Sequence, residues 1–256
     1  MEKIKELREK TGAGMVECKK ALDEANGDME MAIEILRKKG GAKAAKKADR
    51  ITSEGVVTIA KSADAKKASS AKVMCETDFV ARNDDFKKFA ADVAEAGLAG
   101  SAEEYFEANK NEIVLKVGEN ITFGGGEIVE GASVASYIHS TGKVASMVVF
   151  NKEVDASFAN DIAMHIVAMS PSYLLPEEVP AAELDKEKDI YREQLRTEGK
   201  PEEMIEKILG GKVAKYYEDV CLVKQLFIKD DKKSVEAVMK DADQDLKIEK
   251  FVRISL

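Results

Sequence analysis

Ala71-Lys72-Val73-Met74-Cys75-Glu76-Thr77-Asp78-Phe79-Val80-Ala81-Arg82-Asn83-Asp84-Asp85-Phe86 is where the chain changes period. Residues 71–76 read as a strand. From Asp84 or Asp85 onward, Phe86, Phe89, Val93 and Leu98 recur at helical spacing, so a helix follows. Upstream, Gly55-Val-Val-Thr-Ile-Ala reads as a partner strand, and the polar segment Lys61–Ser70 joins the two into a hairpin. The phrase Thr77-Asp78-Phe79-Val80 sits at the strand-to-helix junction, which is usually a surface loop. Physical chemistry leaves two placements open for it. Either Phe79 tucks into its own core while Asp78 caps the turn, or an aromatic stands at the surface beside a carboxylate.

The same grammar recurs downstream. Ser133-Val-Ala-Ser-Tyr-Ile and Gly142-Lys-Val-Ala-Ser-Met-Val-Val-Phe make a second strand pair, and a helix starts near Phe158. Phe89-Ala-Ala-Asp-Val-Ala matches Phe158-Ala-Asn-Asp-Ile-Ala, so a hairpin-plus-helix unit is read as duplicated. The comparable stretch of the second copy, Ser146-Met-Val-Val-Phe150, lacks the Asp-Phe pair, which therefore reads as an addition to one half. Between the copies, Glu112-Ile-Val-Leu-Lys-Val looks like a strand. Gly124-Gly125-Gly126 lacks the Lys-Ser/Thr of a phosphate loop and reads as a turn or bulge.

The first forty residues predict three short helices. One carries Ile4, Leu7 and Arg8 and stops at Thr11-Gly12. A second carries Met15, Cys18 and Leu22 and ends at Asn26-Gly27. The third is capped by Asp28, buries Ile33 and Leu36, and closes at Lys38-Lys39-Gly40-Gly41. Residues 37–50 hold seven Lys/Arg against one acid. No aromatic interleaves these charges, so a solvated linker helix is favoured over an RNA-binding arm. Toward the C-terminus, Leu184, Tyr191 and Leu195 form one stripe and Met204, Ile205, Ile208, Leu209 and Val213 another. Gly199-Lys200-Pro201 turns between them, giving a helical hairpin. Residues 247–256 alternate like a last strand.

Composition narrows the function classes. The 256 residues carry a net charge of −8, but residues 1–50 hold 13 basic against 10 acidic side chains, leaving the body strongly acidic. An acidic body argues against general nucleic-acid binding, which needs cationic surface. There is no apolar run long enough for a membrane span and no leader pattern, so a cytoplasmic chain is expected. Cys18, Cys75 and Cys221 form no CxxC, and neither a disulfide framework nor a zinc site is expected. His139 and His165 pair with no metal-ligating or triad partner, His165 reads as packing, and no Gly-x-Ser-x-Gly occurs. No catalytic residue, metal site or cofactor is assigned, and the chain reads as a factor that grips another protein.

Thr11-Gly-Ala-Gly-Met15, Cys18-Lys-Lys-Ala-Leu22, Glu24-Ala-Asn-Gly-Asp28, Thr77-Asp-Phe-Val-Ala81, Val117-Gly-Glu-Asn-Ile121 and Ser136-Tyr-Ile-His139 occur in order along the chain. Together they resemble the bacterial elongation factor Ts family over essentially the full length. The resemblance implies an α+β fold: a ubiquitin-associated-like three-helix module at 1–40, a basic linker at 41–54 and a core N-terminal half at 55–130. It further implies a core C-terminal half at 131–180 and 222–256, with an antiparallel coiled-coil insertion at 181–221. The two core halves would be related and carry antiparallel sheets.

The function it implies is guanine nucleotide exchange on the GTPase elongation factor Tu, without direct nucleic-acid or membrane binding. A heterotetramer of two factors and two GTPases is among the implied assemblies. Thr77, Asp78, Phe79 and Val80 correspond to the wedge beside the partner's magnesium site. Arg8, Met15, Val16, Lys19, Val117, Gly118, His139, Phe227 and Ile228 match further contact positions. Val16 stands where many members have a second Met, Ile138 where Gln is common, and Lys229 where an apolar residue is expected. Two rival classes remain: a module that holds ubiquitin-like or nascent-chain partners through residues 1–50, and an RNA-binding factor acting through Arg37–Arg50.

Overall fold

The computed structural model describes residues 1–256, the side chain of Lys43 excepted. The chain is a mixture of helices and small antiparallel sheets, an α+β fold. It divides into two compact units. The first holds Met1–Val129 with Ile138–Ala145 and Ile254–Leu256; the second holds Glu130–Tyr137 and Ser146–Arg253.

The first unit opens with helices α1 (Glu2–Thr11), α2 (Met15–Glu24) and α3 (Met29–Lys47). They close on Leu7, Cys18, Ala21, Leu22, Ala32 and Leu36. Asp28 caps α3, its Oδ1 accepting from the Met31 N–H at 2.9 Å. Contrary to expectation, α3 does not stop at Gly40-Gly41 but runs through to Lys47, so a module boundary at residue 40 would cut a helix. Each interior glycine costs about 1 kcal/mol relative to alanine. Packing reverses that preference here. A Cβ on Gly40 would stand 3.1 Å from the Asn111 carbonyl oxygen and 3.6 Å from the Leu115 Cβ. The glycine lets α3 lie close against α6 (Ala102–Val117).

Helix α6 is the second correction, because Glu112–Val117 is its last part and not a strand. Phe106, Ile113 and Val114 fall on one face at helical spacing and are buried together. The apolar run read by itself lacks the earlier phenylalanine that sets the phase. Strands β1 (Glu54–Lys61) and β2 (Lys67–Cys75) pair antiparallel from Glu54↔Cys75 to Lys61↔Ala68. Both β3 (Thr122–Phe123) and β4 (Ile128–Glu130) pair with β2. The glycine run between them lies along β2, with Gly124 N–H donating to Lys72 O and Lys72 N–H donating to Gly125 O, each at 2.8 Å. The Gly124 N–H and the Gly125 carbonyl are thus taken up by the sheet. Helix α5 (Asp84–Gly97) packs on this hairpin through Phe86, Phe89, Ala90, Val93 and Ala94. The rings of Phe89, Phe106 and Phe123 follow one another at 5.6 Å between centroids.

The second unit is built on a sheet in the order β5 (Ser133–Ile138), β6 (Val144–Phe150) and β9 (Ile248–Ser255). Helix α7 (Ala156–Met169) covers it with Ala159, Ile162, Ala163 and Ile166. Helices α8 (Ala181–Thr197) and α9 (Glu202–Val220) fold back on each other, with Leu195, Ile205 and Leu209 buried. Arg192 and Arg196 of α8 pair with Glu206 and Glu202 of α9 at 2.9 and 2.8 Å. At the open end of this pair Glu183 accepts from the Tyr173 and Tyr216 hydroxyls, and these bonds hold its carboxyl below its ordinary range. A two-stranded sheet, β7 (Leu226–Phe227) and β8 (Asp230–Ser234), leads into α10 (Val235–Ala242).

Candidate functional site

At the end of β2 the buried Cys75 hands over to a single helical turn, α4 (Asp78–Ala81). Thr77 caps it, its Oγ1 accepting from the Val80 N–H at 3.4 Å. Successive residues on a helix point about 100° apart. Val80 and Ala81 are 9% and 7% exposed and face the core, so the turn has no inward direction left for Phe79. Phe79 is 82% exposed. Of the two placements the sequence left open, the aromatic stands in water. Asp78 does not cap the turn; it pairs with Arg82 at 3.0 Å one turn further on.

A phenylalanine left in water forgoes about 1.5–3 kcal/mol of burial free energy, which becomes available on docking. A four-residue helix cannot hold its own shape, because helix nucleation is unfavourable. The neighbouring loop after α6 supplies the support. Gly118 ends α6 with a left-handed backbone, φ 78°, a conformation open to glycine. The next residue, Glu119, then reaches the base of α4. Its carboxylate accepts from the Glu76 N–H and the Thr77 N–H, each at 3.0 Å, and from the Thr77 hydroxyl at 2.5 Å.

Asn120, 1% exposed, continues this network. Its backbone N–H donates to Glu76 at 2.6 Å, and its Nδ2 donates to the carbonyls of Ala48 and Arg50 at 3.2 and 2.8 Å. Arg50 in turn lies 3.5 Å from Glu76. The thiol of Cys75 is pushed up to about 12, first by burial and then by the Glu119 and Glu54 carboxylates, so it stays protonated. In the sequence Glu119 and Asn120 stand only inside a phrase that resembles the family. Nothing in the one-dimensional pattern joins them to Thr77, 42 residues away.

The other expected contact positions fall into four groups. Met15 and Val16 are 50% and 68% exposed on α2, with Lys19 and Arg8 also exposed, while Cys18, Ala21 and Leu22 face inward. The turn after α1 packs its Gly12 backbone on the aliphatic stem of Lys116. Val117 is half-buried, Gly118 is exposed, and the Lys47 ammonium donates to the Gly118 carbonyl. Gly12–Lys116, Lys47–Gly118 and Glu119–Thr77 thus link the α1–α2 turn, the end of α6 and the Phe79 turn through direct contacts. His139 is exposed at the β5–β6 hairpin, its Nδ1 3.1 Å from the Thr141 Oγ1.

Phe227 and Ile228 belong to the second unit, and the structure separates their roles. Phe227 is 7% exposed, its ring 5.8 Å from that of His165, so of the pair only Ile228 is open to solvent. The Ile228 N–H donates to His165 Nδ1 at 3.2 Å. Nε2 therefore carries the proton and donates to Gln225 Oε1 at 3.0 Å. Burial holds this imidazole below its ordinary pKa and keeps it neutral. Among the described residues, no cluster of three His, Cys, Asp or Glu is arranged to hold a metal ion, and no helix is long and apolar enough to cross a membrane.

Comparison with known proteins adds the lineage. The family described as Elongation factor TS matches residues 76–256. An elongation factor Ts from a Nitratiruptor species is 45% identical over 99% of this chain and 91% of its own length. One from Marinobacter nauticus is 46% identical over 95% of this chain and 86% of its own, and one from Clostridium perfringens 41% identical over 98% and 90%. Identity at this level, maintained from the N-terminal helices to the last strand, means that the chain belongs to the elongation factor Ts family.

Proposed function

We propose that this chain, a nucleotide exchange factor of translation elongation, acts on elongation factor Tu and releases its GDP by wedging Phe79 beside the magnesium and phosphate site. The observation that carries the reading is the 82% exposure of Phe79 on a turn whose opposite side is buried. Magnesium demands near-ideal octahedral geometry, so a small displacement of its surroundings weakens nucleotide binding. Phe79 supplies rigid bulk and Asp78 a charge next to it; neither breaks a bond, and the factor is no enzyme. Met15, Val16, Arg8, Lys19, Val117, Gly118 and His139 of the first unit, and Ile228 of the second, supply the binding free energy that offsets the distortion.

In this reading α1 to α3 act as a ubiquitin-associated-like module, although α3 continues past its expected end. The β1–β2–α5 and β5–β6–α7 units are two related halves, and α8–α9 is a coiled-coil insertion. The complex forms in the cytoplasm, without nucleic acid, as a pair or as a heterotetramer of two factors and two GTPases.

Linkage requires reciprocity: if the factor weakens GDP binding, GDP weakens the factor's binding by the same ratio. The test is stopped-flow release of labelled GDP from elongation factor Tu. Phe79→Ala is expected to keep affinity for the nucleotide-free partner while losing most of the acceleration. A wild-type release rate from this variant overturns the wedge.

A further inference from the structure

Phe79 is useful as a wedge only if its direction is fixed before the partner arrives. A one-turn helix does not fix it, and the Thr77 cap, at 3.4 Å from the Val80 N–H, is long. The carboxylate of Glu119 takes both N–H groups that enter the turn, and it also takes the Thr77 hydroxyl proton at 2.5 Å. That last bond decides which way the hydroxyl faces. With its proton committed to Glu119, only lone pairs of Thr77 Oγ1 remain for the Val80 N–H. Asn120 ties the same support to the backbone at Ala48 and Arg50. Among the described residues its Oδ1 is buried without a partner, and turning the amide over would set that oxygen against two carbonyls. The amide orientation is therefore fixed as well.

We infer that Glu119 is the positioning residue of the exchange tip, holding the α4 turn so that Phe79 projects in one direction, with Asn120 anchoring that support. The inference rests on the wedge reading for its consequence but not for its geometry. In this role Glu119 acts through Thr77 and the α4 backbone. Charge matters as well as shape, because a carboxylate accepts at both oxygens, whereas a glutamine accepts at one, so either the two N–H groups or the Thr77 hydroxyl proton loses its acceptor.

The experiment has two arms on the full chain. In the first, amide hydrogen exchange of the free protein is followed at Glu76, Thr77 and Val80. Glu119→Gln is expected to lose protection there while the β1–β2 amides keep theirs; unchanged protection at all three overturns the inference. This arm needs no partner, so it stands even if the chain fails to accelerate GDP release, an outcome that would sink the exchange reading alone.

In the second arm, labelled-GDP release is measured at saturating factor, beside affinity for the nucleotide-free partner. Glu119→Gln is expected to slow maximal release by roughly tenfold, equivalent to about 1.4 kcal/mol, with affinity changed by less than about threefold. A general loss of structure would instead weaken affinity and rate together. In the Phe79→Ala background the same substitution is expected to add nothing, because the side chain it aims is gone. Equal slowing in both backgrounds, or wild-type release by Glu119→Gln, overturns the positioning role. Thr77→Val removes the hydroxyl without touching the carboxylate and is expected to show a smaller loss of the same kind.

Discussion

The β1–β2–α5 and β5–β6–α7 units each dock a helix on a strand pair, and they differ at the junction between strand and helix. In each, a helix lies on a hairpin through small residues: Ala90 and Ala94 in the first, Ala159 and Ala163 in the second. In each, a strand hydroxyl donates to a helical carbonyl, Thr58 to Ala90 at 2.9 Å and Ser146 to Ala163 at 2.6 Å. The difference lies between strand and helix. The first unit inserts α4 there, with Phe79 outward and Glu119 beneath. The second passes directly from Phe150 to the Asp155 cap of α7. Its junction residue Asn151 donates to Asp245 O and accepts from Lys247 N–H, which seats the entry to β9. One junction uses its polar groups to hold an apolar ring in water; the other uses them to close a sheet. A loop of this kind is free to take either task because the docked helix, not the loop, carries the stability.

The largest effect that would test this contrast compares two phenylalanines on the first junction. Phe86 is fully buried and Phe79 is 82% exposed. Phe86→Ala is expected to cost about 3–5 kcal/mol in urea unfolding. Phe79→Ala should stay within about 0.5 kcal/mol of wild type while losing most of the exchange acceleration. A large stability loss from Phe79→Ala would erase the difference between the junctions.

Next in size is His165, a buried polar anchor of the second unit. His165→Ala takes the partner from the Ile228 N–H and from Gln225 Oε1, at a cost of about 1–3 kcal/mol. Because burial lowers the folded pKa, the unfolded chain takes up the proton first as pH falls below about 6.5. Stability contributed by the neutral ring is thus complete above that pH and lost below it. Urea midpoints measured between pH 7.5 and 5.5 should fall for wild type and fall less for His165→Ala; parallel slopes would show that the ring is not the titrating group.

Smaller still are the two strand hydroxyls that donate to helical carbonyls. Ser146→Ala and Thr58→Val each remove one hydrogen bond, about 1 kcal/mol. The fully buried Ser146 should cost more than the half-buried Thr58, since its partner carbonyl is left further from water. Chemical denaturation of the two variants side by side decides the order, and a larger loss from Thr58→Val would show that burial of the acceptor carbonyl does not set the cost. The smallest effect belongs to Asp78 and Arg82, whose exposed pair contributes at most a few tenths of a kcal/mol. Asp78→Asn should leave the melting temperature unchanged, so any loss of GDP release from it reports on the partner surface.

Much of this was legible along the chain. The hairpins, the cap at Asp28, the helix following Asn83 and the last strand follow from period and turn chemistry, which are local properties. So does the repeated helix phrase. Three features were not legible, and each has a non-local cause. Gly40-Gly41 reads as a stop because glycine disfavours helix, yet its missing Cβ admits the Asn111 carbonyl from α6. Glu112–Val117 reads as a strand because the phase of a helix depends on Phe106 upstream. Phe227 reads as a surface contact next to Ile228, but its ring enters the core beside His165.

Sequence alone determined that an aromatic and an acid stand together at a strand-to-helix junction, in a chain without a recognisable active site. It also determined the kinship, because several separate phrases in order constrain a family more than any one does. Tertiary structure decided that the aromatic faces water, since Val80 and Ala81 take the inward directions of the turn. It also decided what supports that turn: a carboxylate more than forty residues away in sequence, brought there by the path of α6. Period and capping act over a few residues and can be read in order. A hydrogen bond between distant segments exists only once the chain has folded to bring them together.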